Sequence, residues 1–510
     1  MQVLFIGTAL MLLLFGISKS PLLLEEPRRA LVALEMYYSG NIWVPTIHGE
    51  SYLNKPPLFN WLILLIYNVF GVVDWAGRVI TILSWFTLSF LTYRLARIHF
   101  ESNLSLTAAL LAFASVDILF YFSFLGEIDL FYSALTFLGF YLLYFFGHNQ
   151  RYGRMFLSIW LIAGLGLLTK GLPSLLFAGL SLLGFLIWKK DLRMLFGWKS
   201  IGSFLIGLIL PVLYLCFYHQ QGADAVALLC NLFFESGSRV NETAGGIGAF
   251  LLHCFSFPFI LLLACFPSGF LLIKGYKERF QSIFAHPLLM FCLVIFMANI
   301  FPYWISTGTR SRYLYMFYPL IAITAAYYLH RFPFQNPVAL RLVNMGLSML
   351  ALAGAVFWLL DIPISDLNLP EVNPAIILLF FLCCFCAQNL IVRYQINGIH
   401  GFLMALLCLR LLYGIVLVES RIQSSNASKD KALAEAIYEE VSDKTLTLAK
   451  GVELSFTVSY YLQKNHGSII YYHEPKLDID YMIASPTEVK GQELMRFSSR
   501  GKEWVLFRSQ

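Results

Sequence analysis

The amino-acid sequence predicts a polytopic α-helical membrane protein with a small C-terminal α/β domain, and three observations predict it. Of 510 residues, 58% are hydrophobic and 13% charged, with a mean hydropathy of +0.70, far from the balance of a soluble domain. Apolar stretches of spanning length recur as far as residue 418. Residues 419–510 are polar by comparison and alternate helix-like with strand-like patterns.

The first stretch, residues 3–19, lacks a basic leading region and a small-residue cleavage site, so it is expected to be a retained helix. Further spans are expected near 76–93, 104–122, 130–147, 155–168, 172–188, 201–218, 247–273, 284–300, 314–330, 342–360, 375–392 and 399–418, about thirteen in all. Residues 57–70 are apolar but short and are expected to form an interfacial or partly inserted helix within a first outer loop, residues 20–75. Arg94, Arg97, Arg151, Arg154, Lys189, Lys190, Arg193, Lys199, Lys274, Lys277, Arg279, Arg331, Arg341 and Arg393 share one side if the N-terminus is cytoplasmic. An odd number of spans then sends residues 419–510 outside as a soluble domain. There KDKALAEAIYEEV reads as an amphipathic helix and FTVSYYL and SIIYYH as strands. The nine cysteines lie in or beside apolar segments without metal-ligand spacing, which argues against disulfides and zinc clusters.

Seven cations fall on the opposite, outer side, against the positive-inside trend: Arg28, Arg29, Lys55, Lys170, Arg239, Arg310 and Arg312. Each alone reads equally well as a snorkelling residue at a helix end. Together they suit a phosphate or diphosphate, to which Arg offers a planar fork and Lys a compact charge. Two acid turns lie on the same side, Glu25–Glu26 and Glu127–Asp129, where ionisable groups next to hydrocarbon are costly. Carboxylates beside cations suit group transfer: an acid orients or activates an acceptor while cations stabilise a phosphate leaving group.

The stretches EEPRRALVALEMYYSGNIWVP, HGESYLNKPPLFNW, GEID and LLTKGLPSLL resemble the GT-C membrane glycosyltransferases, in the branch of aminoarabinose transferase and the protein O-mannosyltransferases. Glu25, Glu26, Arg28, Glu35, Met36, Pro45, Lys55 and Pro56 match that branch in register, and RSRYLYMFYP is similar to its basic, tyrosine-containing outer loop. The resemblance implies a catalytic membrane domain over 1–418 and a periplasmic α/β domain over 419–510. It implies a sugar passed from a polyprenyl (undecaprenyl) phosphate to a lipid A-like or protein acceptor at the periplasmic face of a bacterial inner membrane, with inversion. Glu25 takes the place of the family's catalytic aspartate, Asp129 matches the acid of the second outer loop, and Glu26 joins them. Arg28, Lys55, Lys170 and Arg239, with Arg310 and Arg312 of the later loop, would hold the phosphate. Glu for Asp at position 25 moves the carboxylate by roughly 1 Å, a shift that matters where geometry sets rate. Asn54 stands where the aminoarabinose enzymes have an acid, so a divalent metal would lose an anionic ligand there, and metal dependence stays open. No nucleic-acid partner is expected. The competing reading is a secondary transporter or lipid flippase, which would call for internal repeats and paired interrupted helices at the midplane.

Overall fold

A computed structural model describes residues 20–331 and 425–509 apart from 242–245, 274–275, 443, 474–479 and 489–490, together with Ile17, Ser18 and seven positions between 403 and 414. Of the span expected at 3–19 only Ile17 and Ser18 are described, those at 342–360 and 375–392 lie outside the described residues, and the one at 399–418 is described only at those seven positions.

The first outer loop opens with helix α1, Glu26–Ser39. Pro27 sits in its first turn, where a missing N–H costs nothing, and Gly40 ends it in the left-handed conformation at φ 69°. Leu31 to Met36 are buried on every side of α1, so protein encloses the helix. The chain then folds as a tight hairpin, β1 (Thr46–Ile47) and β2 (Glu50–Ser51), paired antiparallel. His48 and Gly49 both take positive φ, 54° and 79°, as the favoured two-residue hairpin turn demands. After Pro56–Pro57 comes α2, Leu58–Phe70. Its 13 residues reach only about 20 Å, short of the roughly 30 Å of a bilayer core.

The membrane region continues through α3 (Ala76–Ala96), α4 (Ser102–Phe113), α5 (Val116–Phe120), α6 (Ile128–His148), α7 (Tyr152–Lys170), α8 (Pro173–Trp188) and α9 (Trp198–Gln220). It goes on with α10 (Ala225–Asn241), α11 (Gly246–Ala264), α12 (Ser268–Ile273), α13 (Tyr276–Ala285), α14 (Pro287–Ile305) and α15 (Tyr318–Arg331). Among the described residues five helices, α3, α6, α7, α9 and α14, are long and apolar enough to cross a membrane. The span expected at 104–122 is broken. Ser115 Oγ donates back to Ala112 O at 3.0 Å, and the Val116 N–H leaves the helical ladder for Phe266 O at 2.9 Å. Asp117 then accepts from Tyr315 Oη at 2.9 Å, which gives it a structural place. The stretch 247–273 is likewise divided, between α11 and α12, at Cys265–Pro267, where proline cannot donate to a helix interior. Arg410 of the last stretch meets a hydroxyl and a ring: Nε donates to Ser123 Oγ at 3.3 Å, and the guanidinium lies 3.5 Å from the Phe124 ring centroid.

The C-terminal region is an α/β unit. Helix α16 (Asn426–Val441) precedes β3 (Leu446–Ala449), and α17 (Phe456–His466) precedes β4 (Tyr472–His473), β5 (Tyr481–Ala484), β6 (Gly491–Ser499) and β7 (Lys502–Ser509). The strand order is β4-β3-β5-β7-β6, parallel at β3–β4 and β3–β5 and antiparallel beyond. FTVSYYL, expected to be a strand, is the body of α17. Ser455 accepts the Val458 N–H at 3.1 Å as an N-cap, and Gly467 closes the helix at φ 74°. These end signals, with Val458, Tyr460, Tyr461 and Leu462 buried together, outweigh the β-propensity of valine and tyrosine. Of SIIYYH only the last two residues pair as a strand. One apolar cluster runs from Leu31, Leu34, Phe59 and Ile63 of the outer loop to Val458, Ile483 and Leu506, so loop and domain share a core.

Candidate active site

Two acid turns meet at one end of the helix bundle. Glu25 and Glu26 head α1, and Glu127 and Asp129 head α6. Glu26 is 3% exposed and fully engaged. Arg78 grips it with Nε at 2.8 Å and Nη2 at 2.9 Å, Leu23 N–H reaches Oε2 at 2.8 Å, and Gly126 N–H reaches Oε1 at 2.5 Å. That last bond joins the two turns. It requires Gly126, because a Cβ there would lie 2.7 Å from the carbonyl carbon of Gly77 in the first turn of α3. Arg78 in turn donates to Ile17 O at 2.7 Å, Ser20 Oγ at 2.6 Å and Pro21 O at 2.8 Å, tying the chain ahead of α1 to α3. Arg78 is the residue the sequence reading missed. Its signal was an arginine in the first turn of an apolar span, on the side of the acids.

Glu25 differs from its neighbour. Its side chain is 39% exposed and pairs with Arg28, one turn on, whose guanidinium lies 5.6 Å from the Phe456 ring. Asp129 is buried, with Lys170 Nζ at 2.5 Å and Arg312 Nε at 3.6 Å. Arg312 also donates to Glu127 Oε2, while Glu127 Oε1 is buried without a partner among the described residues. Lys170 comes from the last turn of α7, where a cation also complements the helix dipole, and Arg312 from the 3₁₀ turn Ser311–Phe317. The Tyr313 and Tyr132 rings stand 4.4 Å and 5.0 Å from Lys170 Nζ. Burial pushes the Glu127 carboxyl up to about 7, with Arg312 opposing and Asp129 adding to the rise. For Arg312 burial works against the charge, but Asp129 and Glu127 outweigh it and hold the guanidinium more firmly protonated than usual.

The other predicted cations come from the first outer loop, the segment just before Arg312 and α10. Lys55, 6% exposed, is on the turn between β2 and α2, and the preceding loop is held by Asn231 of α10, whose Nδ2 donates to Leu53 O at 3.0 Å. Arg310 is exposed two residues before Arg312. Arg239 is on α10, and its side chain lies outside the described residues. The structure thus brings Asp129, Lys170 and Arg312 into direct contact and joins Glu26 to their turn. Among the described residues no group of three His, Cys, Asp or Glu side chains is arranged to hold a metal. At position 54 the side chain is an amide and contributes no anionic ligand.

Residues 54–217 match the family model described as dolichyl-phosphate-mannose-protein mannosyltransferase. The undecaprenyl phosphate-α-4-amino-4-deoxy-L-arabinose arabinosyl transferase of Pseudomonas aeruginosa strain UCBPP-PA14 is 25% identical over 349 residues, 67% of this chain and 62% of that protein. One such transferase of Pseudomonas fluorescens is 26% identical over 270 residues, 51% of this chain and 47% of its own. The chain therefore spans less than two thirds of the length of these curated relatives. Among solved structures, ArnT from Cupriavidus metallidurans bound to undecaprenyl phosphate superposes with a TM-score of 0.72 at 16% identity, over 99% of this chain and 97% of that one. The apo form of the same protein gives 0.64. The fold is that of a helical GT-C membrane protein, and the resemblance read from the sequence to the aminoarabinose transferases and their mannosyltransferase relatives is borne out.

Proposed function

We propose that this relative of the aminoarabinose transferases moves a sugar from an undecaprenyl-type phosphate carrier to a lipid A-like acceptor, as a multi-pass inner-membrane enzyme with its N-terminus cytoplasmic and residues 419–510 periplasmic. The observation that carries the reading is the buried Asp129–Lys170–Arg312 network, stitched through Gly126 and Glu26 to the head of α1. It sets cations and a partly open carboxylate at one end of the bundle. The relatives' names support the carrier and the sugar class, and the crystallised ArnT was bound to undecaprenyl phosphate.

In this reading the acceptor oxygen attacks the anomeric carbon from the face opposite the carrier, so configuration inverts. The bond from that carbon to the phosphate oxygen breaks, and its electron pair leaves on the carrier monophosphate. Lys55, Lys170, Arg312 and Arg310 neutralise that charge, with Arg28 and Arg239 at the margin. Asp129 holds Lys170 and Arg312 in register. Glu25, the accessible acid, orients the acceptor and takes its proton if the acceptor is a hydroxyl. A lipid phosphate, already ionised, needs no base. Glu26 positions the turn. Purified protein offered radiolabelled undecaprenyl-phosphate sugars, with lipid A and peptide as acceptors, tests the reading. Label transferred to lipid A supports it, transfer to peptide alone moves the acceptor to protein, and carrier movement across vesicles without transfer replaces the enzyme with a flippase.

A further inference from the structure

Glu35 lies inside α1, fully buried, and its carboxylate accepts four hydrogen bonds. Three come from the hairpin: Thr46 Oγ1 at 2.7 Å, His48 N–H at 2.6 Å and Gly49 N–H at 3.2 Å. The fourth comes from the C-terminal domain, Gln463 Nε2 of α17 at 2.9 Å. The His48 ring, 4% exposed, extends the same grip, with Nδ1 2.8 Å from Ile470 O and Nε2 2.9 Å from Ser459 Oγ. A Cβ on Gly49 would lie 2.4 Å from the Tyr471 ring, which would have to move to admit it. A buried carboxylate is tolerated only with its lone pairs satisfied, and here two different parts of the chain must be in place to satisfy it. The hairpin they hold ends at Ser51, four residues before buried Lys55.

We propose that the C-terminal domain sets the donor site at one remove: Gln463 and His48, through Glu35 and the β1–β2 turn, position Lys55 for the phosphate of the carrier lipid. This rests on the function proposed above. Gln463 and His48 are positioning residues, whereas Lys55 touches the phosphate. Gln463→Met keeps the side-chain volume and deletes the donor to Glu35. In the full-length chain in detergent it weakens binding of undecaprenyl phosphate by about tenfold, the loss of one hydrogen bond to a charged group, while turnover at saturating donor stays within about twofold of wild type. In a Lys55→Ala background the same substitution leaves the affinity unchanged, because both changes act on one contact. Amide exchange over 46–55 speeds up while β3 and β5 keep their protection.

Equal affinities of wild type and Gln463→Met, or losses that add to that of Lys55→Ala, overturn the proposal. If Gln463→Met does not fold, Ser459→Ala, which removes the partner of His48 Nε2, is measured in the same way and decides it. A wild-type chain that does not bind undecaprenyl phosphate overturns the functional reading itself, and the proposal with it.

Discussion

Glu25 and Glu26 are neighbours with opposite surroundings, and substitution separates them. Glu25→Gln keeps size but removes charge from an accessible side chain, so turnover falls by about 100-fold or more while donor binding persists. Near wild-type turnover at saturating donor would mean that Glu25 is not the base, either because the base lies elsewhere or because the acceptor is an ionised phosphate. Glu26→Gln leaves Arg78 buried beside a neutral amide, which costs about 3 kcal/mol or more when a buried pair is broken. It lowers the thermal unfolding midpoint, and the folded fraction keeps most of its turnover; a large loss of turnover at unchanged stability would make Glu26 catalytic. Glu127, pushed up to about 7 by burial, loses its proton as pH rises through that value. The new negative charge beside Arg312 then weakens the pull on a phosphate, so donor KM rises by about tenfold across neutral pH. Glu127→Gln keeps the low-pH KM throughout, and an unchanged profile in that variant would exclude Glu127.

At the scale of elements, helix ends decided what internal pattern could not. Residues 456–462 alternate β-formers, but Ser455 and Gly467 cap them as a helix. Ser455→Ala deletes the cap that receives Val458 N–H and destabilises the domain by about 1 kcal/mol, read as an earlier unfolding midpoint. An unchanged midpoint would mean that burial alone holds α17. The same helix docks on the turn before α3, where Asp74 takes Tyr460 Oη at 3.1 Å, Tyr461 Oη at 2.9 Å and Lys464 Nζ at 2.5 Å. The acid turns were legible because charge beside hydrocarbon is conspicuous, whereas the break at Ser115 was not. It depends on Phe266, remote in sequence, offering a carbonyl.

For the molecule as a whole, the shared core makes loop and domain one cooperative unit, and His48 gives it a pH dependence. Burial pushes the His48 imidazole below its usual range, with Glu35 and Glu50 pulling it up and Arg500 adding to the depression. Unfolded, it takes a proton near pH 6.5; folded, it resists. The unfolded state therefore binds more protons below that pH, and stability falls as pH drops through 6.5 towards the depressed value. His48→Gln flattens that dependence, and an equal acid sensitivity in the variant would place the titrating group elsewhere. The sequence by itself determined the class: composition and span length demand a helical membrane protein, and charges that topology disfavours marked both acid turns and most of their cations. Only the tertiary structure decided which acid stays open and which is spent on Arg78, and which cations touch Asp129. Those outcomes depend on partners far apart in sequence, Lys170 41 residues from Asp129 and Arg78 52 from Glu26, and burial and pairing arise only when the packed helices bring such residues within reach of one another.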